Sequence, residues 1–263
     1  LHARAHGGKR VACRRAAATR MIVVHVEAGT HLYGGAVQVL QLLRGLRTIG
    51  AAAHRHILIC PRESTIAAAA EGIAHRVHAI AMRGDGDVGM LRRVRRVLRE
   101  EGADLVHVHS RRGADVWGGV AARMSGTACV LSRRVDNPEA RGQVALKYRL
   151  YQHVITISEG IRQVLLSEGL APQRVSCVRS AVDAAPYLAP VERGAFLREF
   201  GLPASAMVVG MVAQLIARKG HRYLIEAVDA LRADYPDLRV LLFGQGALQT
   251  ELEAAIAQRG LSD

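Results

Sequence analysis

Short apolar runs alternate with amphipathic stretches along most of the chain. Met21-Ile22-Val23-Val24-His25-Val26 is continuous and β-branched, the pattern of a strand buried on both faces of a parallel sheet. It ends in a glycine-bearing loop, Glu27 to Gly35, after which Val39, Leu42, Leu43 and Leu46 recur at helical spacing as far as Gly50. His56 to Cys60 reads as a second strand stopped by Pro61, and Ser64 is placed to cap the Ala-rich helix beyond it. Val77 to Ile80 predicts a third strand. Residues 88–101 predict a helix with Leu91, Val94 and Leu98 on one face and Arg92, Arg93, Arg95, Arg96 and Arg99 over most of the rest. Asp104 to His109 is the next strand and Gly113 to Met124 the next helix. Further strands fall at Cys129–Leu131, His153–Ile157 and Val175–Val178. Ser158 caps a helix from Glu159 to Glu168, which Gly169 closes.

Strands and helices in strict alternation predict an α/β fold with right-handed βαβ units and a parallel sheet. Pro186 and Pro190 mark a linker between Asp183 and Glu192, and the cycle then restarts. Its members are a strand at Met207–Val212, a helix at His221–Arg232, a strand at Arg239–Phe243 and a helix from about Leu248. The pattern assigns residues 21–188 to a complete Rossmann-like domain and residues 189–263 to the start of a second. Two strands are too few for a self-sufficient doubly wound domain, so the chain is expected to be truncated at its C-terminal side. Residues 1–20 show no periodicity and are expected to be a disordered arm or an upstream translation artefact, with Met21 the true start.

Composition narrows the class. Half of the 263 residues are hydrophobic, enough for a sizeable core, and aromatics make up only 4%, so Ala, Val, Leu and Ile must build it. Of the net charge of +13, six units come from Arg4, Lys9, Arg10, Arg14, Arg15 and Arg20, with no acid among the first twenty residues. The remaining basic balance suits phosphorylated small molecules or an anionic membrane surface as partners, or simply a solvated surface. Nucleic acid is not expected as a partner, because stacking aromatics are few and nearly half the charge lies in that first segment. Cys13, Cys60, Cys129 and Cys177 are too widely spaced for a zinc ribbon or a disulfide framework and suit a reducing cytoplasm, with Cys129 and Cys177 expected to be buried. No run is long enough to span a membrane, and the first segment lacks the apolar centre of a secretory signal. The Arg-rich helix allows peripheral contact with an anionic inner-membrane face, or is a solvated face paired with Glu100 and Glu101.

Several polar groups fall just beyond the carboxyl ends of predicted strands, where open parallel sheets bind ligands. Gly34-Gly35 opens the first long helix; it permits close backbone approach to an anion or forms a plain turn. Gly244-Gln245-Gly246 has the same two readings, since Gln249 replaces the third glycine of a dinucleotide loop. Gln214 to Gly220 places Arg218 and Lys219 beyond a strand, as phosphate ligands or surface cations. His107 and His109 point to one side of their strand, and without a nearby Cys or acid they are not expected to bind metal. Ser132-Arg133-Arg134 and Ser158-Glu159 occupy equivalent places on later strands.

Val212-Ala213-Gln214-Leu215-Ile216-Ala217-Arg218-Lys219-Gly220-His221, continuing Tyr223 to Ala227, resembles the start of the second domain in family-4 glycosyltransferases. The Gly34-Gly35 loop, Asp104 to Ser110, Ile155 to Glu159, Ser180 to Asp183 and Leu241 to Gly246 resemble that family in the same order. The resemblance implies a GT-B fold and a retaining transfer from a nucleotide-sugar donor, with the acceptor on the first domain and the donor on the second. It also implies that Lys219 holds the donor diphosphate, that Gly34 and Gly35 approach the diphosphate and sugar, and that His109 sits near the transferred sugar as the catalytic-site residue. Gln214, Arg218, Gly244 and Gly246 complete the donor side, and Arg133, Arg134, Ser158 and Glu159 are acceptor-side candidates. No metal or other cofactor is implied; the acceptor is a saccharide or a lipid-linked cell-envelope molecule. Gln214 stands where the family usually has Arg, with Arg218 its only local substitute. The family's paired glutamates lie beyond Asp263, so the 263-residue chain is expected to show little or no transfer. The competing classes are a non-catalytic binding module and a nicotinamide-dependent oxidoreductase, the latter lacking an early G-x-G-x-x-G.

Overall fold

The computed structural model of the chain describes residues 20–50, 54–109, 111 and 113–262. The expectations for the basic segment up to residue 19, Cys13 included, lie outside the described residues. The chain divides into two compact units, one ending at Asp183 and the other beginning at Ala184.

Seven parallel strands form the sheet of the first unit, in the order β3-β2-β1-β4-β5-β6-β7. β1 (Met21–Val26) has β2 (His54–Pro61) and then β3 (Arg76–Ile80) on one side. On the other side lie β4 (Leu105–Val108), β5 (Ala128–Arg133), β6 (His153–Thr156) and β7 (Val175–Cys177). The strand order reverses between β1 and β4. That reversal places a crevice beyond the carboxyl ends of the central strands, because the loops leaving β1 and β4 diverge to opposite sides.

Helices cover both sheet faces. On one, α1 (Gly34–Gly50) and α2 (Thr65–Ala69) bring Val39, Leu40, Leu43 and Ile66 onto Leu58 and Cys60. On the other, α3 (Gly89–Glu101) and α4 (Gly119–Met124) pack Met90, Val94, Leu98 and Ala121 against Val24, Val26, Ile57, Val106 and Val108. Each large aliphatic side chain so buried contributes roughly 1.5–3 kcal/mol. Strand side chains alternate between faces, so His25, His56 and His107 lie on the face opposite Val24, Ile57 and Val106.

Some local expectations change. Ser64 takes the N-cap position of α2, but its hydroxyl donates back to the Pro61 carbonyl at 2.6 Å and makes no cap bond. Glu101 does not pair with the arginines of its own helix. It is buried and held by Arg76 at 2.9 Å, His78 at 2.7 Å and Arg55 at 3.7 Å, all from β2 and β3. Arg92, Arg96 and Arg99 are exposed. Cys60 and Cys129 are buried free thiols, whereas Cys177 is only half-buried because it ends the edge strand β7. Among the described residues no helix is long and apolar enough to cross a membrane.

Two helices escape the sequence pattern. α5 (Arg141–Lys147) buries only Val144, too little to set a period; α6 (Glu159–Ser167) follows, and α7 (Arg193–Glu199) buries only Leu197. In the second unit, β8 (Met207–Val212) and β9 (Leu238–Phe243) form a parallel pair. α8 (His221–Leu231) and α9 (Gln249–Gln258) meet the loop after β8 in a small cluster of Leu215, Ile225 and Leu252.

Candidate functional site

A cavity of about 250 Å³ opens at the carboxyl ends of β1, β4 and β5, on the strand-order reversal. The loop after β1 contributes Glu27, Gly29 and Gly35; β4 runs into His109 and Arg111; β5 supplies Ser132, Arg133 and Arg134. Gly35, His109, Arg133 and Arg134, all expected from the sequence at this edge of the sheet, come together in one cavity. Gly34 stands beside Gly35 in the first turn of α1 but is not on the cavity wall.

The glycines leave room. A side-chain carbon at Gly34 would meet nothing within 4 Å, and one at Gly35 would meet only the Arg134 side chain at 3.7 Å. The protein itself therefore does not require glycine there by contact. What the two glycines keep open is access to the first-turn N–H groups of a 17-residue helix, an arrangement suited to an anion. Glu27, buried at the start of this loop, shapes it: its Oε1 accepts the Gly29 N–H at 2.7 Å.

Adjacent arginines diverge because strand neighbours point to opposite faces. Arg133 is buried and its guanidinium is fully engaged: by Glu139 at 2.5 Å, the Val135 carbonyl at 2.8 Å, the Asn137 carbonyl at 2.5 Å and Tyr148 Oη at 3.3 Å. Lys147 joins the same network, at 3.0 Å from Glu139 and 2.6 Å from Asp115. Burial alone would raise the Glu139 pKa, but hydrogen bonds from Arg133 and Lys147 hold it below the ordinary carboxylate value. Arg133 thus clamps the loop after β5. Arg134 is different. Among the described residues its Nε is buried without a hydrogen-bond partner, and burial lowers its pKa against the raising influence of Glu27.

His109 is buried at 1% exposure and belongs to a histidine cluster. Its Nε2 lies 2.9 Å from His25 Nδ1, and His25 Nε2 lies 3.1 Å from His56 Nδ1. His107 is tilted by 37° against His109, with 3.8 Å between ring centroids, and bonds Ser132 Oγ through Nε2 at 2.8 Å. Burial first, then His107, His25 and Arg134, push His109 well below the ordinary histidine pKa, so the ring is neutral at physiological pH. His25 shifts the same way, by burial and then by His107 and His56. Nitrogens of His25, His107 and His109 come within 4.8 Å of one another, a grouping the sequence did not reveal. Two of these rings hydrogen-bond each other, His25 to His109, and His107 Nε2 bonds Ser132 Oγ.

The other predicted residues lie elsewhere. Ser158 caps α6 by accepting the Ile161 N–H at 3.2 Å, and Glu159 bonds Arg162 and Gln163 on the same helix, each at 2.7 Å. Neither is on the cavity wall. In the second unit, Gly244 and Gly246 are demanded by packing. A side-chain carbon would come 1.9 Å from the Ala213 carbonyl oxygen at Gly244 and 2.4 Å from that of Leu215 at Gly246. Those glycines let the loops after β8 and β9 touch, and Leu215 N–H donates to the Gln245 carbonyl at 3.0 Å. Gln214 sits half-buried in that contact. Arg218 and Lys219, on a 3₁₀ turn just before α8, are exposed and take no part in an ion pair among the described residues.

Two Rossmann-like α/β units, the first with a glycine-opened helix at its strand reversal, are the architecture of sugar-nucleotide enzymes of the GT-B type. The chain belongs to Glycosyltransferase Family 4, which residues 33–185 match, while residues 193–263 match Glycosyl transferases group 1. A curated relative, the 2-deoxystreptamine glucosyltransferase of Streptomyces kanamyceticus, is 30% identical over 183 residues. That match covers 61% of this chain and 47% of the relative, so it spans about half of the relative's length. Among solved structures, Anabaena Alr3699/HepE in complex with UDP and glucose superposes with a TM-score of 0.74 at 17% identity, covering 92% of this chain and 67% of that one. A glycosyltransferase from Rickettsia africae gives 0.71 at 16% identity, covering 93% and 66%.

Proposed function

We propose that this chain takes part in moving a hexose from a nucleotide-sugar donor to a hydroxyl acceptor, with retention of anomeric configuration. The observation that carries this reading is the cavity at the β1/β4 reversal, where an open helix N-terminus, a neutral histidine and a half-buried arginine meet. A sugar diphosphate needs those three things: N–H groups and a cation for developing phosphate charge, and a hydrogen-bonding ring for a sugar hydroxyl. His109, being neutral, works as a hydrogen-bonding group and not as a charged acid. Arg134 and the Gly34-Gly35 turn face the anionic part of the donor. On the second unit Lys219, with Arg218 beside it, is assigned to the diphosphate, and Gln214 to the loop that orders them.

UDP is the nucleotide to assay first, because the Anabaena protein was solved with UDP and glucose. The acceptor is assigned as polyhydroxylated: a saccharide or lipid-linked cell-envelope molecule, with 2-deoxystreptamine added from the name of the curated relative. The test is UDP release from UDP-glucose in the presence of an acceptor panel, with the product's anomeric configuration read by NMR. In a protein that carries this chain with a complete donor site, acceptor-dependent release with an α-linked product is expected, and His109→Ala should lower kcat/KM by about 100-fold or more. Donor binding with no transfer to any acceptor would leave a binding module, and NADH binding in its place would point to an oxidoreductase.

A further inference from the structure

The histidine chain does something that none of its members does alone. His56, His25 and His109 come from three adjacent strands, β2, β1 and the end of β4, and are at most 4% exposed. Both ring nitrogens of His25 are taken up, Nδ1 by His109 and Nε2 by His56. A neutral imidazole carries one proton, so it donates through one nitrogen and accepts through the other. His25 therefore donates in one direction and accepts from the other. Suppose its Nδ1–H donates to His109. Then His56 donates from Nδ1, and the proton of His109 sits on Nδ1. If the chain runs the opposite way, all three protons sit on Nε2. Two arrangements satisfy both bonds, and in each the three rings share one tautomer.

The nitrogen left over at the inner end is His109 Nδ1, buried and without a hydrogen-bond partner among the described residues, on a ring that lines the cavity. We propose that His25 and His56 are positioning residues for His109: their hydrogen-bonded order fixes whether its remaining nitrogen offers a donor or an acceptor. The functional meaning rests on the reading of His109 as the ring that meets the donor sugar; the shared tautomer does not. His107 supports the arrangement from the side, its ring tilted against His109 at 3.8 Å between centroids and its Nε2 tied to Ser132. Burial keeps the rings uncharged, which the one-proton count requires.

The experiment is ¹⁵N–¹H long-range correlation spectroscopy on the ¹⁵N-histidine-labelled 263-residue chain at neutral pH, with signals assigned by single substitutions at His25, His56 and His109. One common tautomer in all three rings is expected. His25→Phe cuts both bonds, and the His109 nitrogen shifts should move toward those of a tautomer mixture while His153 on β6 stays put. His25→Asn places an amide near the former Nδ1 and should shift His109 less; it also serves if the Phe variant fails to fold. Mixed tautomers in the wild type, a doubly protonated ring, or His109 signals indifferent to His25→Phe would each overturn the proposal. In a transfer assay His25→Phe should lower kcat/KM about ten- to a hundredfold, the usual effect of losing a partner that orients an active-site ring. If His109→Ala leaves transfer intact while the common tautomer is seen, the reading of the cavity fails and the relay stands. If the tautomers are mixed while His109→Ala abolishes transfer, the relay fails and the reading of the cavity stands.

Discussion

At the scale of single residues, burial has decided the chemistry. His25, His107 and His109 keep folded pKa values below the ordinary 6.5, that of His107 at about 3. As pH falls below 6.5 the unfolded chain takes up these protons first, so stability is intact above that value and declines beneath it. The slope is about 1.4 kcal/mol per pH unit for each such ring. Glu101 and Glu139 act with the same sign, but only below their ordinary value of 4.5. Urea midpoints should therefore fall between pH 6.5 and 4.5 through the histidines; a flat profile there would refute the assignment of neutral buried rings. Arginine neighbours make a second contrast. Arg133→Ala leaves the buried Glu139 with Lys147 as its remaining close cation and frees the Val135 and Asn137 carbonyls, and should cost about 2 kcal/mol, whereas Arg134→Ala should leave the urea midpoint nearly unchanged and weaken UDP-glucose binding about tenfold. The sequence placed both arginines at the right sheet edge. It did not separate them, because the separation depends on which strand face each occupies and on Glu139, six residues further along. His109 was legible from its place after an apolar strand. His25 was not, since its partnership requires knowing that β1 lies between β2 and β4.

At the scale of elements, the strands were read well because each is a continuous apolar run between turn residues. The short helices α5 and α7 were missed because each buries a single large side chain and so shows no period. Two elements carry constraints that substitution would expose. Glu101, at the end of α3, ties that helix to β2 and β3 through Arg55, Arg76 and His78. Glu101→Gln keeps the shape and removes the charge. It should lower stability by about 1–2 kcal/mol, discounted because Arg76 is largely exposed. Gly246→Ala drives a methyl group to 2.4 Å from the Leu215 carbonyl oxygen. It should loosen the second unit, read as faster hydrogen exchange over β8 and β9, with the seven-stranded sheet unaffected. Equal loosening of both units would contradict the division at Asp183. The G-x-G pattern alone left a phosphate loop and a packing turn equally open; the carbonyls of Ala213 and Leu215 supply a packing reason.

At the scale of the whole molecule, the two units differ in how well they are filled. The first buries a continuous core on both faces of seven strands, while the second pairs only two strands and leaves Met207, Val209 and Val212 at 52%, 40% and 83% exposure. The α/β class and the order of its elements followed from alternation alone. The family was legible as an ordered set of short matches, none of which names a sugar or an acceptor. A nucleotide sugar is expected to meet this chain at the β1/β4 reversal. Hydrogen–deuterium exchange with and without UDP-glucose tests it most directly. Protection is predicted in peptides covering Gly29 to Val37 and Leu131 to Val135, and it should be lost in Arg134→Ala. Protection confined to other segments, or none at these two while binding is saturated, would put the donor elsewhere on the chain.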